Sequence, residues 1–450
     1  MTETEITSRG KSTRSKFFLF GAPKFGTSIL MGFADFALAT LYILAFQVSP
    51  FLVGFALAMG KLTIAASQFF FGWVSDAKYT RWGRRKPYLI ILSPILGVSF
   101  FFLLMPNLVI DLNDKTAVFL WLLILYQFFN ISYGLTSPFG SWMAEQFSFD
   151  ERPRASYYEN TIGFLGSGVM SVFSMIILTE VIDDIQTNPN VIPLEYFLSV
   201  IIFGIIPILI FYLVSFLMPT EPHFKIESNI FQNLKIILKN KNYLLVNGMI
   251  GIASISWIMV GALLLQFIEV VLAFEQTYYI IAAALFLIGI FGFLYMWRKL
   301  TSKLGKKQSV LYIFLVAIII LPFSLLGVIP MESSLIFGII FIVGLTGSLA
   351  GWFLLPAILI ADISEDDEKR TGELRAGIYK GFPSIILNLF QTIGLLIMGI
   401  ILELPEITVG TSTFSLGYVI WGPICSVILI ISYIYSRKFV RLDFEWEKTQ

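Results

Sequence analysis

Histidine and cysteine are almost missing from this chain of 450 residues, which has one of each, His223 and Cys425. A single cysteine admits no internal disulfide. A single histidine leaves no Cys/His pairing and no paired imidazoles to hold a metal. Charge is also scarce: 14% of residues are charged and they balance to a net +1, so nothing marks a nucleic-acid partner. There is no Gly-rich loop ending in Lys-Ser/Thr and no Gly-x-Ser-x-Gly, and no polar stretch is long enough for a soluble catalytic domain. These absences argue against an enzyme, a cofactor and a metal site. What the chain does have is apolar surface: 57% hydrophobic and 16% aromatic residues, with a mean hydropathy of +0.81. That excess has to face lipid. Cys425 lies inside an apolar run and reads as a small core side chain, which leaves the redox compartment unread.

Runs of about 20 apolar residues, separated by Gly, Pro and charge clusters, predict an all-α membrane protein. The twelve predicted spans are 25–46, 50–74, 88–106, 117–143, 155–179, 196–218, 243–272, 277–297, 309–328, 334–361, 376–402 and 414–436. The first run is too long for the apolar region of a cleaved signal peptide. Lys and Arg set the orientation. With a cytosolic N-terminus, every Lys and Arg of the 31 except Lys61 and Lys115 falls on the cytosolic side, as the positive-inside rule requires. Both termini are then cytosolic.

The stretch from Pro219 to Asn242 is the longest polar connection, and it divides the spans six and six. The expected organisation is a cytosolic segment 1–24, a six-helix bundle 25–218, a linker 219–242, a second bundle 243–436 and a tail 437–450. His223 sits in that linker, either as an ordinary surface side chain or as a pH sensor. The halves repeat: Gly83-Arg84-Arg85 aligns with Gly305-Lys306-Lys307, and Pro138 to Ala144-Glu145 resembles Pro356 to Ala361-Asp362. Two matched bundles suit a rocking transporter with a central site and alternating access.

The span order and matched loops resemble the major facilitator superfamily. Asp76 to Pro87, with Arg81-Trp82-Gly83-Arg84-Arg85-Lys86, looks like the span 2 to 3 loop of the glycoside-pentoside-hexuronide:cation symporters, the group that includes melibiose permeases and plant sucrose carriers. Asp362 to Gly377, with Lys369-Arg370-Thr371-Gly372 and Arg375, looks like that family's loop between spans 10 and 11. Gly32-Phe33-Ala34-Asp35 is similar to its span 1, where the aspartate binds sugar. The resemblance implies sugar transport, but this sequence departs from it. Ile64 and Gln68 stand where the sodium-coupled members carry aspartates, and a glutamine at the second position is similar to the proton-coupled sucrose carriers. The sugar-contacting aspartate and tryptophan of span 4 fall on Thr136 and Gly140, with Trp142 close by. The family's arginine of span 5 and lysine of span 11 fall near Glu159 or Asn160 and near Leu389.

A charge at mid-bilayer costs roughly 2.5 to 3.5 kcal/mol and is kept only where it faces protein or water. Asp35 and Lys61 lie near the middles of consecutive antiparallel spans, so an ion pair is expected, direct or bridged by water or substrate. It either fixes the helices or serves the site, with Lys61 as a built-in cation, Gln68 nearby and Asp35 as hydroxyl acceptor and proton carrier. Gln127 and Asn130, and Asn388 and Gln391, are spaced i, i+3 and present paired amides. Trp257 is near mid-span, and Tyr42 follows Asp35 by two turns. Carboxylate, amides and an aromatic platform suit a sugar, although amides also join helices at about 1 kcal/mol each.

The cytosolic charges Asp76, Arg81, Arg84 and Arg85, with Gly83 between them, and Glu145 or Asp362 with Arg152 and Arg375, are expected to form gating ion pairs that break on rocking. Such clusters also serve as topology signals and lipid partners. The expected function is secondary active transport of a sugar or glycoside by a monomer in the plasma membrane, driven by protons or uncoupled. A lysolipid or other amphiphile carrier on the same fold is the alternative.

Overall fold

The computed structural model describes residues 12–148, 151–188, 192–221, 238–330, 334–371 and 376–442. His223 and the predicted site residues Gly372 and Arg375 lie outside the described residues, as does the side chain of Thr371. Among the described residues, twelve helices are long and apolar enough to cross a membrane. They are α1 Arg14–Phe36, α2 Pro50–Ala77, α3 Lys86–Leu104, α4 Lys115–Met143, α5 Arg154–Thr187, α6 Leu194–Leu217, α7 Lys241–Leu272, α8 Gln276–Leu304, α9 Lys306–Val328, α10 Leu335–Ile360, α11 Phe382–Leu402 and α12 Gly417–Phe439. Helix is the form these runs must take, because hydrocarbon offers no partner to an unsatisfied peptide group. Large apolar side chains face outward on them: Phe216 and Ile336 are each 72% exposed, which suits lipid rather than water.

Helix starts follow capping chemistry. The Asp114 carboxylate accepts the N–H groups of Thr116 and Ala117 at the start of α4, both at 3.0 Å, and Asn240 accepts that of Tyr243 at 3.1 Å before α7. The first helix begins at Arg14, earlier than the apolar run predicts. Phe17 and Phe20 pull this turn inward: Phe17 stacks on Phe147 at 5.0 Å and Phe20 on Phe139 at 4.8 Å. Thr13 caps it, its side chain accepting from the Lys16 N–H.

Contacts divide the chain into two compact units. One holds Met1–Ala34, Met59–Phe173 and Asp183–Ser228; the other holds Asp35–Ala58, Ser174–Ile182 and Asn229–Gln450. The division falls inside α1, α2 and α5. In α1 and α5 it coincides with irregular backbone, since Ala37 leaves helical geometry and Ser174–Leu178 is a π turn.

The second unit contains two further π turns, Leu41–Ala45 and Ile268–Leu272. Each is followed by a non-glycine residue in the left-handed region, Gln47 (φ 53°) and Ala273 (φ 44°). The chain just past α1 and the end of α7, which lead the two sequence repeats, therefore carry the same unusual pairing of a π turn and a left-handed residue. The core of this unit is aromatic, with Phe267, Phe341 and Trp421 mutually 5.3 to 6.1 Å apart. At one end, Ser49 Oγ and the Phe51 N–H donate to Glu403 Oε1, which ties the start of α2 to the end of α11. Between α11 and α12 lies an antiparallel hairpin, β1 Glu406–Val409 and β2 Ser412–Ser415, with Glu406 opposite Ser415. The apolar count starts the last span at 414; pairing of 412–415 delays the helix to Gly417.

Candidate functional site

The strongest electrostatic feature of the first unit is built on the loop joining α2 and α3. Gly83 turns the chain with φ 97°, a conformation open to glycine at no steric cost. The turn is closed by reciprocal main-chain bonds between Thr80 and Gly83 at 3.1 and 2.9 Å, and it delivers two guanidiniums to one carboxylate. Arg84 Nη2 lies 2.9 Å and Arg85 Nη2 2.7 Å from Glu145 Oε1, just past the end of α4. Arg85 Nη2 also reaches Asp76 Oδ1 at 2.5 Å, and its Nη1 donates to Ser75 Oγ at 2.6 Å.

Arg84 and Arg85 are 1% and 3% exposed, so these charges are held away from solvent. Burial alone would lower the pKa of Arg85, but Asp76 and Glu145 outweigh it and the pKa is raised above the ordinary value. Arg81 does not enter this network: it is exposed and lies over the Trp82 ring at 5.0 Å. Arg152 is half-buried, and burial pulls its pKa below the usual value.

The first residues of the interhalf connection close over the same loop, which the sequence reading missed. Glu221 Oε1 accepts the N–H groups of Arg84 and Arg85, and Tyr79 Oη donates to the Glu221 carbonyl at 2.8 Å. Gln146 Nε2 donates to Pro219 O and Lys86 Nζ to Met218 O, each at 2.8 Å. A carboxylate a few residues after the last apolar residue of a span was the available signal.

The second unit holds a degenerate copy. Gly305 turns with φ 82° between α8 and α9, and Lys306 Nζ lies 2.7 Å from Asp362 Oδ2. Gly83 with Arg84 and Arg85 against Glu145 therefore corresponds to Gly305 with Lys306 against Asp362. The second copy is the more open, with side chains 23% and 13% exposed.

Three of the polar residues expected within the spans come together on the α2–α4 seam. Gln127 Oε1 accepts from Thr63 Oγ1. The Asn130 carbonyl accepts from Ser67 Oγ at 2.9 Å while its Nδ2 turns back to Tyr126 O at 2.7 Å. Gln68 Nε2 donates to Thr136 Oγ1 at 3.0 Å. Lys61 is 2% exposed, in the same unit.

Asp35, Tyr42, Trp257, Asn388 and Gln391 belong to the other unit. The Asp35 carbonyl approaches α7 at Gly261, where a Cβ would come within 3.0 Å of it. Tyr42 is fully buried against Phe46 at 5.0 Å. Asn388 Nδ2 returns to Ser384 O of its own helix at 2.7 Å, and Gln391 is half-buried. Trp257 stacks on Trp352 at 5.8 Å and 24°, and its Nε1–H meets no acceptor among the described residues.

Residues 19–431 match a family model described as MFS/sugar transport protein, and the chain belongs to this family of the major facilitator superfamily. It is thus a multi-pass membrane transporter. Over 439 residues it is 24% identical to the sodium-dependent lysophosphatidylcholine symporter 1 of Gallus gallus, covering 88% of this chain and 77% of that one. Its fold is that of the xylose transporter XylE from E. coli in an inward-open conformation, with TM-score 0.65 and 15% identity over 95% of this chain and 96% of that one. It also matches the nucleoside transporter NupG, with TM-score 0.60 and 15% identity over 94% of this chain and 98% of that one.

Proposed function

We propose that this chain is a secondary active carrier of a sugar or glycoside, working by alternating access in the plasma membrane with both termini cytosolic and coupled to protons or uncoupled. The observation that carries the solute class is the Trp257–Trp352 stack on α7 and α10: a flat indole surface beside an N–H that lacks an acceptor among the described residues. Pyranose C–H faces pack on such rings, and a hydroxyl oxygen satisfies such a donor. The family model's description agrees in class. In this reading Asp35, Tyr42, Asn388 and Gln391 contribute from the Trp257 unit. The ion pairs at the basic loops, including Asp76 and Asp362, are the elements that break on rocking.

A second reading, a lysophospholipid carrier, is favoured by a specific observation. Asn130 and Asn388 spend their amide donors on their own helices, as amides do when they stiffen helices rather than face a wet site, and the curated relative transports a lysophosphatidylcholine by its name.

Uptake into proteoliposomes separates the two readings. Radiolabelled mono- and disaccharides are compared with radiolabelled lysophosphatidylcholine, each under an imposed proton or sodium gradient. Saccharide accumulation driven by a proton gradient, or equilibration without either gradient, is expected. With Ile64 buried and Gln68 bonded to Thr136, the two family sodium positions offer no carboxylate, so a sodium gradient alone should drive nothing. Lysophosphatidylcholine uptake without saccharide uptake overturns the sugar reading, and sodium-driven accumulation overturns the coupling.

A further inference from the structure

At the end of α7, beside the start of α8 and so at the far end of α8 from the Gly305 loop, sits a carboxylate that neither the gating cluster nor the expected solute residues include. Glu269 lies within the last turns of this span, whose other charged residue, Lys241, stands at the opposite end, and it is half-buried. Tyr279 of α8, only 3% exposed, donates its hydroxyl to Glu269 Oε2. One turn earlier the fully buried Gln266 receives the hydroxyl of Tyr418 from α12 at 3.1 Å. Positions 266 and 269 are i, i+3, so α7 presents two polar groups in succession, each met by a phenol from a different helix. The π turn Ile268–Leu272 contains Glu269, and the left-handed Ala273 closes it. Single π turns and left-handed non-glycine residues concentrate where function tolerates their cost.

We propose that Glu269 is a proton-binding site, with Tyr279 as the positioning residue that sets its affinity. Binding converts the carboxylate and one proton from water into a carboxylic acid, and the Tyr279 phenol changes from donor to acceptor. That this proton is the coupling ion rests on the carrier reading above; that the site titrates does not.

Few other ionisable groups sit on the elements packed against this turn. From α8 there are Tyr279 and Tyr278, and from α12 there is Tyr418. The 35–58 segment brings Asp35 and Tyr42, with the Asp35 carbonyl two turns further down at Gly261. At the end of α11, Glu403 is held by Ser49 and Phe51. The strand β2 has no ionisable residue, and α10 has none before Asp362. Glu180 is bonded to Gln276 at 3.2 Å, next to Glu275.

The test is infrared difference spectroscopy of the full chain in lipid, stepped from alkaline to acidic pH with no solute present. A carboxylic-acid C=O band that grows on acidification is expected in the native chain. The component of it that the native-minus-variant difference isolates should be lost in Glu269→Gln and retained at a shifted position in Glu269→Asp. Tyr279→Phe removes a donor to the charged form, so the titration midpoint should rise by about one to two pH units. An acid band that survives intact in Glu269→Gln overturns the site. Should Glu269→Gln not fold, Tyr279→Phe decides: a midpoint that stays put overturns the assignment. Because no solute enters the measurement, failure here is distinguishable from failure of the uptake assay.

Discussion

Glu221 Oε1 accepts the main-chain N–H of Arg85 at 3.0 Å and takes that of Arg84 as well. A carboxylate is thus seated on the two amides at the entry to α3, those of its N-cap Arg85 and of the residue before it, where the helix dipole favours negative charge. The connection between the halves is thereby fastened to the basic loop from its first residues. Glu221→Ala should cost about 1 to 2 kcal/mol, as the loss of a helix cap does. Glu221→Gln, which keeps an acceptor oxygen, should cost less. Thermal unfolding of the three proteins checks this, and equal stability of all three would disprove the cap.

Glu145 joins two guanidiniums that solvent scarcely reaches. Removing it leaves buried like charges facing each other, so Glu145→Ala is expected to destabilise by about 3 to 5 kcal/mol. Arg85→Ala in the same chain should return part of that loss, because one of the two buried like charges is then gone. The double-mutant cycle measures the coupling directly. Strict additivity would show that the pair is not energetically joined.

The spans and both basic loops were legible in the sequence because lipid allows few solutions. A run without charge must be a helix, and Gly83 and Gly305 announce their turns by standing before paired basic residues. The sequence also paired the loops as copies, and Lys306–Asp362 against Arg84 and Arg85–Glu145 gives that copy a geometry. The partners were less legible. Arg81 was grouped with Arg84 and Arg85, yet spacing alone does not tell which basic side chain turns inward. Glu221 and Glu269 were passed over because one follows a span and the other nearly ends one, where a carboxylate is inexpensive and unremarked. The amides were read as convergent, yet i, i+3 spacing fixes only a shared face; Asn388 satisfies its donor on its own helix.

Glu151 gives the structure an acid-sensitive contact at its first described residues. Burial opposes its charge, but Ser12 donates to it from both N–H and hydroxyl, at 2.7 and 3.0 Å, and Ser148 from its N–H. The result is a pKa below the ordinary carboxylate value. A depressed folded pKa contributes stability at neutral pH and loses it as pH falls through the folded value. Below about pH 5, where the unfolded carboxylate begins to take up its proton, Ser12→Ala should therefore lose less stability on acidification than the native chain, and Glu151→Gln less again. Melting temperatures across that range test the order; parallel acid limbs for all three would rule the contact out.

The crossing of α2 and α11 depends on a missing side chain. A Cβ at Gly54 would stand 2.6 Å from the Leu395 carbonyl and 3.0 Å from Gly399 Cα. Backbone lies on both sides, so no flexible side chain is available to yield. Thr392 Oγ1 reaches the Ala58 carbonyl at 3.4 Å one turn away, and Glu403 holds the helix start, so the two helices are tied on either side of the glycine. Overpacking of this kind costs about 1 to 3 kcal/mol, and Gly54→Ala should show it as a lower melting temperature. If rocking must part these helices, the same substitution disfavours only the state in which they touch, and the larger Gly54→Leu should bias the protein toward the parted state. Cysteine-labelling rates at a site introduced at Ser49, in a chain whose Cys425 is replaced by alanine, report that bias. Faster labelling in Gly54→Leu than in the unsubstituted parent is the expected outcome, and an unchanged rate with unchanged melting would show that the crossing has room to spare.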